Sequence, residues 1–129
     1  MKVRQRIIDV HAHVIPGVDD GSRTMEESVE MLKRAADQGI VGVIATPHYS
    51  RRHVLKGLND SAKLLQQEIR KTYPKFRIFP GQETFYHDEL AQRLNEGKAY
   101  TMADSQYVLV EFMPSVSYEI LFQGIRKLV

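Results

Sequence analysis

The sequence predicts an α/β fold built on a parallel sheet. One unit, an apolar strand-like run followed by a polar loop and an amphipathic helix, is readable four times along the 129 residues. Residues able to hold a metal follow every one of the four runs. With 43% apolar and 26% charged residues, the chain also has the composition of one globular domain, large enough to bury a core. Strands that alternate with helices pair in parallel through right-handed crossovers, which selects an α/β sheet or barrel over a bundle or sandwich. A (β/α) barrel takes ~250 residues, so four units amount to about half of one.

The first unit opens with a strand over Arg6 to Val10, rich in β-branched residues, and a loop containing Pro16 and Gly17. Its helix starts near Thr24, where Thr24 and Glu27 have capping-box spacing. Met25, Ser28, Val29, Leu32, Ala35 and Ala36 form one face, and Gly39 stands at a C-terminal stop. The second unit pairs the apolar run Ile40 to Ala45 with a helix near Asp60, in which Leu58, Ala62, Leu65 and Ile69 keep helical spacing until Pro74. The third has a short strand, Arg77 to Phe79, and a helix between Asp88 and Asn95 stopped by Gly97. The fourth has a strand over Tyr107 to Val110 and a helical stripe of Tyr118, Leu121, Phe122, Ile125 and Leu128. In this arrangement the last strand forms an apolar edge, which predicts self-association.

Charge and composition exclude several function classes. The 18 basic and 16 acidic residues are interspersed, and no basic stripe marks a nucleic acid or membrane surface. The segment MKVRQRIIDVHAH lacks the apolar stretch of a signal peptide, and no run spans a membrane, so a cytoplasmic protein is expected. The absence of cysteine removes disulfides, thiolate ligands and thiol-based catalysis. Any metal would rest on His, Asp and Glu, which favours hard or borderline ions.

In parallel α/β folds, reactive groups collect where strands end, because several loops converge there. His11 and His13 close the first strand, two residues apart and hence on one face. His48 follows the second strand in ATPH, Glu83 the third in PGQE, and Glu111 ends the fourth in VLVEF. A carboxylate closing an apolar strand incurs a desolvation cost that a nearby cation offsets, and a buried arginine partner is the alternative. Asp19 and Asp20, in GVDDG, lie close behind the histidine pair, with glycines that let the loop fold back over it, although an ordinary turn before a helix reads the same way. Asp9 either orients a ring from behind or caps a turn. Arg51 and Arg52, with Lys56, offer guanidinium groups for a phosphate or simply a solvated basic loop. His53 and His87 lack register with the others and read as surface residues. Tyr49, Phe85 and Tyr86 would stack on an aromatic substrate or pack against the core.

Taken together, DVHAHVIPGVDDG, IATPHYS, PGQETFY and YVLVEF, in this order, resemble the bacterial protein-tyrosine phosphatases of the PHP (polymerase and histidinol phosphatase) superfamily. These act on tyrosine kinases that control capsular and exopolysaccharide synthesis. The resemblance covers nearly the whole chain and marks residues 1–129 as a partial PHP metallophosphatase domain. It implies the N-terminal half of a distorted (β/α)7 TIM-like barrel with up to three ions, usually manganese, although iron, cobalt or zinc would suit the same ligands. Carried over, it makes His11 and His13 ligands of one ion, Glu83 a bridge, Glu111 a ligand of the second ion, and Asp20 and His48 holders of the third. The implied reaction is hydrolysis of phosphotyrosine on a protein, such as a bacterial tyrosine kinase, by metal-activated water with no phosphoenzyme.

The family continues into a second half with an AH-x-E-R-like segment and a late D-x-H pair, and neither motif occurs here. The expectation is therefore a truncated phosphatase. Two alternatives are a non-catalytic metal-binding or regulatory remnant, and a phosphatase for a small phosphate monoester such as histidinol phosphate.

Overall fold

The computed structural model describes residues 6–129; the reading of the first five residues as leaderless lies outside them. Its strands are β1 (Ile7–Ala12), β2 (Ile40–Ala45), β3 (His48–Tyr49), β4 (Arg77–Pro80), β5 (Glu83–Phe85) and β6 (Leu109–Glu111). The helices are α1 (Met25–Asp37), α2 (Leu58–Arg70), α3 (Leu90–Asn95) and α4 (Tyr118–Leu128). All strand pairs are parallel, in two sheets ordered β1-β2-β4 and β3-β5-β6. The α/β expectation is met, with the four units in sequential order.

The second and third runs each break into two strands, a feature the sequence reading missed. Pro47 has no N–H for the ladder, and at Gly81 a Cβ would lie 2.8 Å from Ile44. Pairing nevertheless continues across the breaks: the Gly81 N–H donates to the Ala45 carbonyl at 2.9 Å, and the Glu83 N–H to the Pro47 carbonyl at 3.1 Å. The breaks re-aim the chain so that β3 and β5 carry His48 and Glu83 directly opposite each other.

Several boundaries shift. β1 runs to Ala12 and not Val10, β6 covers Leu109–Glu111 and not Tyr107 to Val110, and α3 starts at Leu90 and not Asp88. At the start of α1, Thr24 Oγ1 accepts the Glu27 N–H at 3.1 Å, but Glu27 accepts from the Arg23 N–H instead of closing a capping box on Thr24.

The main core lies between the first sheet and α1 and α2. Leu58, Ala62, Leu65 and Ile69 on α2 are all buried, with Leu32 of α1, against Val43, Ala45 and Ile78. Each of the leucine, isoleucine and valine side chains contributes ~1.5–3 kcal/mol on burial, which fixes the helical layer. A smaller cluster of Tyr49, Leu90 and Ala99 lies behind the second sheet, with Leu128 of α4 against it. Gly124 lets α4 approach the Tyr86–Phe112 stack, since a Cβ there would meet Tyr86 at 2.9 Å. Apolar residues remain exposed along β1 (Ile8, Val10) and on α4 (Ile120, Phe122, Ile125). Among the described residues, no helix is long and apolar enough to cross a membrane.

Candidate metal centre

The six carboxylate and imidazole residues expected at the strand ends converge. β1 and β2 are paired up to Ala12 and Ala45, and Thr46 holds the ends together: its Oγ1 accepts the Ala12 N–H at 3.0 Å, and its N–H donates to the Ala12 carbonyl at 2.8 Å. A register shift between Asp9 and Ala12 lets β1 turn as it delivers His11 and His13. Their Nε2 atoms stand 3.2 Å apart. Both face one oxygen of Glu83: Oε2 lies 3.1 Å from His11 Nε2 and 2.9 Å from His13 Nε2. The same Oε2 is 3.5 Å from His48 Nδ1, which also lies 3.6 Å from Glu111 Oε2. On its other edge, His48 Nε2 lies 3.3 Å from Asp20 Oδ1.

Three overlapping donor groups result: His11, His13 and Glu83; His48, Glu83 and Glu111; and His13, Asp19, Asp20 and His48. Within each, donor atoms lie within 4.8 Å of one another. Three imidazole nitrogens crowd one carboxylate oxygen, and among the described residues no lysine or arginine forms an ion pair with Glu83 or Glu111. The alternative of a buried arginine partner is thereby removed. Glu83 is the more enclosed acid, with 13% of its side chain exposed against 42% for Glu111, so the desolvation argument applies mainly to Glu83. This set of nitrogen and carboxylate donors fits hard or borderline divalent ions.

The loop before α1 is built to reach back. Gly17 has φ +73°, and at Gly21 a Cβ would collide with the His13 carbonyl oxygen and sit 2.6 Å from its Cβ, so only glycine lets the loop press on β1. Asp19 is enclosed by this turn. Its Oδ2 takes His13 Nδ1 at 2.9 Å and the His48 N–H at 3.0 Å, and its Oδ1 takes the Gly21 N–H at 2.9 Å. Burial opposes the Asp19 charge, yet the bonds from His13, Gly21 and His48 outweigh it and hold the carboxyl below its ordinary range. Burial likewise works against a charged His13, but the hydrogen bond and charge of Asp19, with Glu83 and Asp20, raise its pKa above the usual value. A field that holds a proton on His13 also attracts a cation.

Other candidates fare differently. Asp9 accepts the His11 backbone N–H at 3.0 Å within β1, so its carboxylate is engaged by the backbone and not by a ring. Arg51 pairs with Glu89 at 3.2 Å, while Arg52 is exposed. His53 is exposed, as expected, with its ring 3.2 Å from the Val18 carbonyl. His87 departs from the surface reading: it is partly enclosed, with its ring beside Tyr49. Tyr49 is buried in the core and Tyr86 stacks on Phe112 at 4.9 Å, so these two rings pack and do not face the rim. Sequence reasoning treats Asp19 and Asp20 alike and misses a separate role for Asp19. Its position two residues before Gly21, where an aspartate accepts the N–H of residue i+2, is the signal for one.

Residues 7–129 match the family model described as capsular polysaccharide synthesis, CpsB/CapC. The chain is 32% identical over 109 residues to the tyrosine-protein phosphatase YwqE of Bacillus subtilis, covering 82% of this chain and 43% of that protein. It is 29% identical over 130 residues to the tyrosine-protein phosphatase CpsB of Streptococcus pneumoniae, covering 95% and 51%. It thus spans about half the length of these relatives. Crystal structures of YwqE from Bacillus subtilis and CpsB from Streptococcus pneumoniae, described as unique metal-dependent tyrosine phosphatases, include a chain that matches with a TM-score of 0.78 at 30% identity. The match covers 94% of this chain and 52% of that one. The match along residues 7–129 shows that the chain belongs to the CpsB/CapC family of capsular polysaccharide synthesis proteins.

Proposed function

We propose that this chain forms the N-terminal half of a (β/α) barrel metallophosphatase that hydrolyses phosphotyrosine on a protein. The observation that carries the reading is the approach of three imidazole nitrogens, from His11, His13 and His48, to the single oxygen Oε2 of Glu83. In this reading His11 and His13 hold one ion, Glu83 bridges to a second held with Glu111, and Asp20 and His48 hold a third. Manganese is the ion that the family resemblance implies, and donors that mix imidazole with carboxylate would accept it as they would iron, cobalt or zinc. Bound ions would supply an activated water and neutralise charge on the phosphate and the leaving phenolate. The protein's part is to fix the donors on strand ends and to keep lysine and arginine away from Glu83. Arg52, exposed on the loop after β3, is the better placed of the two arginines to meet a phosphate, since Arg51 is engaged by Glu89.

The substrate reading draws on the relatives, which are named tyrosine-protein phosphatases, and on the family's link to capsule synthesis. A bacterial tyrosine kinase of that system is the proposed protein partner. The test is manganese-dependent phosphate release from a phosphotyrosine peptide, set against histidinol phosphate. Peptide turnover that disappears in Glu83→Gln supports the reading. Preference for histidinol phosphate would move it to a small monoester, and metal binding with no turnover of either substrate, even by this chain joined to the remaining half of YwqE, to a non-catalytic metal module.

A further inference from the structure

Asp19 lies within reach of the same donors as Asp20, yet its surroundings differ. Its side chain is 5% exposed, against 82% for Asp20. Both of its oxygens are already engaged: Oδ2 by His13 Nδ1 and the His48 N–H, Oδ1 by the Gly21 N–H. These three groups come from the end of β1, the loop before α1, and the start of β3. One carboxylate therefore joins three segments that carry proposed ligands.

Its effect on His13 is specific. A neutral imidazole has one N–H and one lone pair, and a carboxylate at Nδ1 makes Nδ1 the donor. The lone pair then lies on Nε2, the nitrogen 2.9 Å from Glu83 Oε2 and 3.2 Å from His11 Nε2. The opposite tautomer would set the two lone-pair-bearing atoms, Nδ1 and Oδ2, against each other at 2.9 Å, whereas the facing lone pairs of Nε2 and Glu83 Oε2 would be reconciled by a cation between them. We infer that Asp19 is a positioning residue and not a ligand: it fixes His13 with Nε2 free for a metal and ties the backbone of His48 to that ring. This rests on the metal reading above and assigns the two neighbouring aspartates different tasks, Asp20 on the ion and Asp19 behind it.

The test joins two measurements on the whole chain. Nitrogen-15 NMR of the imidazoles of protein loaded with Zn2+, a diamagnetic ion that the same donors accept, reads the His13 tautomer directly. The expected result is a protonated Nδ1 in the wild type and a mixed population in Asp19→Ala. Calorimetric titration with Mn2+ then compares variants. Asp19→Ala should keep the number of bound ions while weakening affinity ~10–100-fold, the usual cost of losing a partner behind a ligand, whereas Asp20→Ala should lose an ion. Asp19→Asn retains one acceptor but turns an NH2 group toward a backbone N–H, and should fall with Asp19→Ala. A proton on Nε2 in the wild type, or loss of one ion in Asp19→Ala, would overturn the inference. A merely structural role predicts a lower Tm with an unchanged tautomer, which would also overturn it. If the wild type bound neither ion, the metal reading itself would fail, whereas bound ions with Nδ1 unprotonated would overturn the Asp19 assignment alone.

Discussion

At the scale of single residues, Glu83 carries most of the site. Replacing it by Gln keeps the shape but removes the charge that three imidazoles share. Glu83→Gln should therefore lower Mn2+ affinity at least ~10-fold in calorimetry, since ligand charge sets much of the affinity at such sites. His53→Gln, altering an exposed ring, is the control and should leave it unchanged. His87 supplies a separate test by pH. Burial first, then the charges of Arg93 and Arg51, lower its pKa below the ordinary 6.5. Its Nδ1 also accepts the Glu89 N–H at 3.3 Å, so a protonated ring would set two donors face to face. The folded state binds this proton less readily than the unfolded chain, and stability is lost as pH falls through 6.5 toward the lowered value. Urea unfolding between neutral and mildly acid pH should show that loss, and His87→Asn should flatten it; an unchanged slope would show that His87 titrates normally.

At the scale of elements, the outcome depends on two small residues at strand ends. Thr46 is fully buried and bridges β1 to β2 through its hydroxyl. Thr46→Val leaves the Ala12 N–H without that acceptor and should cost ~1–3 kcal/mol in denaturant unfolding. Gly21→Ala should be at least as costly, ~1–3 kcal/mol, because the colliding atoms belong to His13, partly to its backbone, and cannot swing aside. It should also weaken metal binding, by moving Asp19 and Asp20 together. Helical periodicity made α1, α2 and α4 legible in the sequence, since an apolar stripe at that spacing has one economical fate, and all four named α2 residues are buried. The site was legible as a set of residues because parallel strands deliver their ends to one rim. What could not be read was the split of two strands at Pro47 and Gly81, a matter of close packing between neighbours in space, and the distinct surroundings of Asp19 and Asp20. Two adjacent acids look alike in sequence until a loop closes over one of them.

At the scale of the whole molecule, the two sheets have four edge strands among the described residues, β1 and β4 in one and β3 and β6 in the other, and β1 and β6 belong to the first and last units of the series. Ile8 and Val10 on β1 and Ile120, Phe122 and Ile125 on α4 are each about half exposed. In a parallel α/β fold such faces are ordinarily covered on both sides, so they should drive association. Sedimentation of these 129 residues should show concentration-dependent oligomers, and a well-behaved monomer with one cooperative unfolding transition would contradict this. Catalysis raises the same question of completeness. Six side chains, with His13, Glu83 and His48 each shared between two groups, cannot alone fill the shells of three ions that each prefer about six donors. Ions held by too few protein groups keep more water, sit less firmly, and orient a phosphate poorly, and a misplacement of about 1 Å costs on the order of 100-fold in rate. The relatives have about as much chain again in addition to the matched part. Phosphotyrosine peptide turnover by these 129 residues should accordingly be at least ~100-fold below that of the same residues joined to the remaining half of YwqE. Both proteins would be assayed with saturating Mn2+, after spectroscopy shows each to be folded. Equal turnover would mean that the strand-end cluster is sufficient by itself, and that the donors named here already complete the working centre.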